Sequence, residues 1–385
     1  MRPLPPMLLV LLLWAAGLGA AAQFGKISIL YEALRATYGG RGEVALGLVV
    51  SIVGMVGLIF GTTAGLLVAR IGPRRAIVAA LLAGAAMSAL QSLMPAYPLM
   101  LASRIIEGAS HLAIVVVGPT MIATLAPEHR RPLAMTLWSS FFGVTFTILA
   151  LIGPHVGPTS LFLGHAAWMA ALAAILALTL PPDPQAGALP VGNLLRQHAE
   201  IYASPRLSAP AMGFCCYTFL YVAVLTLLPP ETPATHRALI AAGMPLVSIA
   251  VSLTLGVWLL RRMSAVRLVQ AGYAVAIPGF VILWAFWGQG AGMAAGGFLL
   301  SAALGIVQGA SFASIPELNA GPEDRARAAG AVAQLGNLGT TTGTPVLAAL
   351  LAGAGPSALA LAAVLLCGVG IAVHALQETR RARMA

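Results

Sequence analysis

Charged side chains are what this sequence lacks. Lys, Arg, Asp and Glu make up 8% of its 385 residues, against about 25% in soluble domains. A soluble chain of this length cannot cover its surface with so few charges, so lipid must be the solvent for most of that surface. Cysteine is nearly absent too: Cys215, Cys216 and Cys367 all fall in apolar stretches. An odd count offers no disulfide framework, and the three read as core residues. Also missing is the equipment of a membrane-bound enzyme. The seven histidines are scattered, no carboxylate dyad or Ser/His set is visible, and Glu317 is the only other carboxylate near a span besides Glu107.

What is present is apolar: 59% of the chain, with 42 Gly and 26 Pro, residues that membrane helices tolerate better than soluble ones do. The fold class is therefore an all-α integral membrane protein. Stretches long enough to cross a hydrocarbon core of about 30 Å are predicted at 7–29, 45–69, 76–94, 98–124, 133–153, 159–180, 209–229, 238–260, 268–287, 293–316, 328–350 and 357–376. The first also resembles a secretory signal peptide, with Arg2, an apolar run and small residues at Ala20–Ala22. The run continues through "FGKISIL", so it is expected to stay as the first of twelve spans. A net charge of +10 raises the question of nucleic acid. However, apart from Lys26, Arg35, Arg41, Arg104 and Arg237, the remaining 16 of the 21 basic residues lie in connectors or termini assigned to one membrane side. That bias makes those connectors, and both termini, cytoplasmic, and no nucleic-acid partner is expected.

The longest polar connector, 181–208, is Pro-rich at first, and its "NLLRQHAEIYA" has the pattern of a short amphipathic helix. It divides the chain into bundles of six spans, 1–180 and 209–385, and those bundles repeat. "EGASH" (107–111) matches "QGASF" (308–312), and the following loops match as "APEHRRPLAM" (126–135) and "GPEDRARAAG" (321–330). Parallel repeats of this kind are built around a solute site near the midplane.

At this point the chain resembles the major facilitator superfamily along its whole length. The family signature after the second helix is met in "GLLVARIGPRR" by Gly65, Arg70, Gly72, Arg74 and Arg75, with Ala69 where the family has aspartate. In the family that aspartate helps latch the cytoplasmic side closed. A fourth-helix signature is met by "RIIEG" (104–108), and a fifth-helix antiporter pattern only partly, by Gly143, Gly153 and Pro154. Within the superfamily, "LAMTLWSSFFG" and "GASHLAIVVVGPTMIATLAPEHR" are similar to the bacterial cyanate and nitroimidazole transporters and to a group of copper (CcoA-type) and riboflavin importers. The resemblance implies a twelve-helix secondary transporter of a bacterial inner membrane, monomeric, without a cofactor, its partners being a small solute, the bilayer and protons.

The residues that ask for an explanation are the charges inside the spans: Lys26, Arg104 and Glu107. An ionised group at the bilayer centre costs a few kcal/mol even on lenient scales, so such groups face a protein interior or a wet cavity. Arg104, Glu107 and His111 follow at i, i+3 and i+7, on one helical face. With Glu107 pairing Arg104 or Lys26, the cluster keeps a charge near +1, which favours a solute with an anionic or electron-rich group. The alternative reading is an ion pair that fixes spans one and four. Flanking cations hold Glu107 ionised, and an arriving anion would reverse that, a device for proton coupling shared with His111. The resemblance implies that spans one, four, seven and ten line the cavity. It thereby adds Gln23, Tyr217, Tyr221 and Gln308, with Trp138, Phe142 and Asn337 nearby; aromatics beside cations suit a flat conjugated solute. Two rival readings stand: a Cu(I) importer using Met212, Cys216 and Met244, although the histidine of the importers' second motif is missing, and a non-transporting sensor.

Overall fold

In lipid a chain must satisfy its backbone internally, and these apolar runs do so as helices. The computed structural model describes residues 4–61, 63–130, 134, 137–138, 140–183 and 194–384, and among them there is no strand. In chain order the helices are α1 (Pro6–Ile29), α2 (Tyr31–Tyr38), α3 (Glu43–Ser51), α4 (Gly54–Phe60), α5 (Ala64–Ile71), α6 (Pro73–Gln91), α7 (Tyr97–Leu125) and α8 (Phe141–Ile152). They continue with α9 (Pro158–Thr179), α10 (Leu194–Ala203), α11 (Ser208–Leu227), α12 (Ala234–Leu260), α13 (Ala265–Ala285), α14 (Gly290–Leu318) and α15 (Pro322–Ala382). Proline opens α1, α6, α7, α9 and α15, where its missing N–H would have had no helical partner anyway.

Among the described residues nine helices are long and apolar enough to cross a membrane, or ten when the bent pair α3–α4 counts as one. Each of the twelve predicted spans overlaps a helix, and the differences have local causes. The second predicted span is three helices, with a 59° bend between α3 and α4. Its "SIVGMVGLIFGTTAG" is glycine-rich, which weakens a continuous helix. Ser51 sits at the bend, its one O–H within reach of the Gly47 and Thr341 carbonyls (3.0 and 2.8 Å). The last two predicted spans lie within α15, which breaks at Gly355 (φ 72°).

The chain forms two compact units, 1–40 with 55–190, and 41–54 with 191–385. In the first, α1 packs on α7, α8 and α9, and α6 on α7 and α9. The fully buried Val10, Leu13, Ile77, Leu81, Ile114, Val117, Ile122 and Leu176 form its core. In the second, α11 packs on α15, α13 and α12 pack on α14, and α3 joins through α15. The outward faces are apolar as well: Leu178, Leu361 and Leu365 are 67%, 61% and 61% exposed, as a lipid-facing surface requires.

Loop 71–75 is held from a distance. Gly72 adopts φ +97°, a conformation that side chains rarely tolerate, and caps α6. The orphan N–H groups of Arg74 and Arg75 donate to the Asp183 carboxylate at 2.7 and 3.1 Å. Asp183 comes from the connector after α9 and serves as a remote N-cap, favoured also by the helix dipole. Of the loop motif, Arg74 also reaches the Ala177 carbonyl and Arg75 the Asp183 carboxylate (3.7 Å). Gly65 and Arg70 fall in α5, and the side chain of Ala69 lies outside the described residues. Replacing Asp183 by alanine is expected to cost about 1 kcal/mol, read as a lower melting temperature in detergent. An unchanged melting temperature would show that this cap contributes nothing.

Candidate functional site

The three charged side chains singled out by sequence meet in the first unit, and among the described residues no other Lys, Arg, Asp or Glu is buried. Lys26 comes from α1, and Arg104 and Glu107 from α7; all three are 0% exposed. An ammonium has three N–H donors, and Lys26 aims them at three acceptors. These are Glu107 Oε1 at 2.5 Å, Ser88 Oγ at 2.8 Å and His165 Nδ1 at 3.2 Å. The Phe162 ring lies beneath the ammonium, with its centroid 5.2 Å away, a cation–π contact.

The surroundings continue the network. His165 Nε2 lies 3.0 Å from the Gly19 carbonyl and so carries the ring proton, leaving Nδ1 to accept. Ser88 receives from Lys26, and its own O–H lies 2.9 Å from two acceptors, the Phe162 carbonyl and His165 Nδ1. Glu107 uses its second oxygen for Arg104 Nη1 and for the Gln91 amide (2.8 Å). Gln91 donates also to Ser103 (3.0 Å), which hands on to the Met100 carbonyl (2.7 Å). Burying charge is tolerable when every group is hydrogen-bonded, and this network meets that condition around its carboxylate.

Sequence reasoning found the charges and missed Ser88, Gln91 and His165, contributed by α6 and α9. It also passed over a simple count. Lys26 is the only lysine in the chain; the other 20 basic residues are arginine.

The other predicted residues lie around this cluster or apart from it. Gln23 is buried one turn below Lys26 and donates to Ser110 (2.9 Å). His111 bonds the Ala20 carbonyl (3.0 Å) and meets Phe24 edge-on at 5.1 Å. Phe142 stacks on Phe146 at 5.0 Å. Trp138 is a wedge rather than an open platform: a Cβ on Gly118 would fall 2.2 Å from its ring, and one on Gly17 2.9 Å. In the second unit Tyr217 and Tyr221 stack at 5.1 Å on α11, and Asn337 donates to Ala333 of its own helix (2.7 Å). Gln308 is half-buried on α14.

The metal set is not assembled. Met212 and Cys216 share one end of α11, where the Met212 thioether accepts from Gln377 (3.0 Å). Met244 packs beside Gly297 and Leu228, and Leu228 is about 24 Å along the helix from Met212. Sequence spacing places such residues on helices without placing the helices. Among the described residues no group of three His, Cys, Asp or Glu is positioned for a metal ion.

Known proteins agree with this architecture. Residues 9–344 match the model of the Major Facilitator Superfamily. The Escherichia coli inner membrane transport protein YajR is 28% identical over 209 residues, which are 51% of this chain and 44% of YajR, so the match spans less than half of that relative. The human organic anion transporter MFSD10 shares the fold with a TM-score of 0.73 at 18% identity, covering 97% of this chain and 100% of its own. A bacterial homologue of the human lysosomal transporter Spinster, inward-facing and occupied, gives 0.78 at 14%, with 97% of each chain covered. The E. coli fucose:proton symporter FucP gives 0.66 at 17%, covering 97% of this chain and 99% of its own. With helices throughout, apolar outer faces and a family match over most of its length, the chain belongs to the Major Facilitator Superfamily of membrane transporters.

Proposed function

We propose that this transporter moves a small solute across the bacterial inner membrane by alternating access, linked to protons, and that the solute is a small organic anion or a conjugated, flavin-like compound. The twelve spans work as two bundles, 1–180 and 209–385, joined by the 181–208 connector, with both termini cytoplasmic and the protein monomeric. The finer kinship is with the cyanate/nitroimidazole and riboflavin-importer groups. The observation that carries the reading is the buried cluster of two cations, Lys26 and Arg104, on one anion, Glu107. Two cations against one carboxylate leave a surplus that an anion neutralises, and a desolvated cation attracts an anion far more strongly than one in water. The family fold accommodates organic anions and proton symport alike, as MFSD10 and FucP illustrate. In the conformation described here Lys26, Arg104, Glu107 and Gln23 are sealed inside the first unit, and binding requires the alternate state to open them. Gln308, Asn337 and Phe142, each half-buried, with Tyr217 and Tyr221, complete the proposed contacts.

The test is uptake into proteoliposomes of flavins, organic anions, cyanate and Cu(I), with and without an imposed pH gradient. The expected result is gradient-driven accumulation of an anionic or conjugated solute, reduced about tenfold or more by Arg104→Gln, since a charge-assisted bond is worth up to about 3 kcal/mol. Accumulation of Cu(I) alone would overturn the solute class, and a bound compound that is never moved would favour a sensor.

A further inference from the structure

The buried cluster cannot exchange protons at will, because its groups differ in what they can give up. Arginine does not deprotonate in proteins. Glu107 is held as carboxylate by Lys26 and Arg104, and adding a proton there would leave two buried cations without an anion. His165 has Nε2 committed to Gly19, and its Nδ1 already faces an ammonium 3.2 Å away, so a second proton would set two cations side by side. His111 faces the Ala20 carbonyl, α8 brings no titratable side chain to α1, and α6 contributes the neutral Ser88 and Gln91. Only loss of one proton from Lys26 takes the cluster from +1 to neutral.

We propose that Lys26 is the group that takes up and releases the transported proton. On release an Nζ–H bond breaks, its electron pair stays on nitrogen, and the proton passes to Glu107 Oε1 at 2.5 Å. It goes on to water when the alternate state opens the cluster, leaving neutral amine, carboxylate and Arg104. The composition of the chain agrees with this role. Twenty basic positions carry arginine, whose charge is permanent, and the single lysine stands in the one place where charge must come and go. The inference rests on the transport reading above and gives its coupling a sign. An anion beside the cluster stabilises the ammonium form, so anion and proton are held together and cross in the same direction, as symport.

A chain with one lysine allows a direct test. Purified protein carrying 15N/13C-labelled lysine gives one side-chain signal with no assignment needed. The Nζ and Cε resonances are expected to pass from ammonium to amine within the pH range over which the protein stays folded. Arg104→Gln, which removes a neighbouring cation and keeps the Lys26–Glu107 pair, should displace that transition. A resonance that stays ammonium to about pH 10, where an ordinary lysine titrates, overturns the proposal, and so does a transition that Arg104→Gln leaves in place. The titration uses no solute, so its failure leaves gradient-driven uptake standing. Uptake that ignores the gradient overturns proton linkage and this assignment together, even with a titrating lysine.

Discussion

Glu107→Gln is expected to destabilise the folded protein by about 3–5 kcal/mol, the usual cost of removing one partner from a buried ion pair. Its carboxylate is the only fully buried anion among the described residues, and it receives Lys26, Arg104 and Gln91 at once. A glutamine of similar shape keeps the volume and removes the charge, leaving two desolvated cations facing a neutral amide. The double variant Lys26→Met/Glu107→Gln should lose less than the sum of the two single variants, because each single change strands the partner of the other. Thermal unfolding in detergent of the single and double variants measures both effects. A Glu107→Gln protein within about 0.5 kcal/mol of wild type would show that the pair does not hold the bundle.

Gly343→Ala is expected to have an effect of similar size for an unrelated reason. The α11–α15 contact runs backbone to backbone: a Cβ on Gly343 would lie 2.0 Å from the Phe219 carbonyl oxygen and 2.8 Å from its carbon, and one on Gly339 2.3 Å from the Cys215 oxygen. The sequence "GTTTG" (339–343) is the small-xxx-small spacing that lets membrane helices approach closely. A clashing side chain can rotate away, whereas a carbonyl in a helix can move only with the helix. The two helices must therefore separate, losing packing along the interface, and about 3 kcal/mol of overpacking is expected. Gly368→Ala supplies the control on the same helix. Nothing lies within 4 Å of the Cβ it would carry, so it should be neutral or slightly stabilising. The fraction of monodisperse protein after heating, read by size-exclusion chromatography, separates the two. Equal survival would mean that α15 yields at no cost.

The class of fold was legible because lipid leaves few options: long apolar runs, scarce charge and a one-sided arginine bias admit little besides a helical membrane protein. The cluster was half legible. Lys26, Arg104 and Glu107 stand out because ionised residues are rare in apolar runs. Ser88, Gln91 and His165 do not, since neutral polar residues are common in spans and nothing in their spacing says that α6 and α9 turn toward α1. Asp183 was hidden for a different reason, lying in a Pro-rich stretch that reads as connector while its carboxylate caps a helix more than a hundred positions earlier. Trp138 illustrates the opposite error. Its position suggested an aromatic platform, but the space that receives it is made by Gly17 and Gly118, on two other helices. The separation of Met244 from Met212 follows from where along α11 each helix docks, which local sequence does not encode.

The solitary lysine also changes what covalent reagents can report. Apart from an α-amine, the chain offers amine-directed acylating agents a single amino group, and that nitrogen is sealed at 0% exposure among Glu107, Ser88 and His165. Acylation at that position therefore marks molecules whose first bundle has opened, and the yield of one modified peptide becomes a clock for that opening.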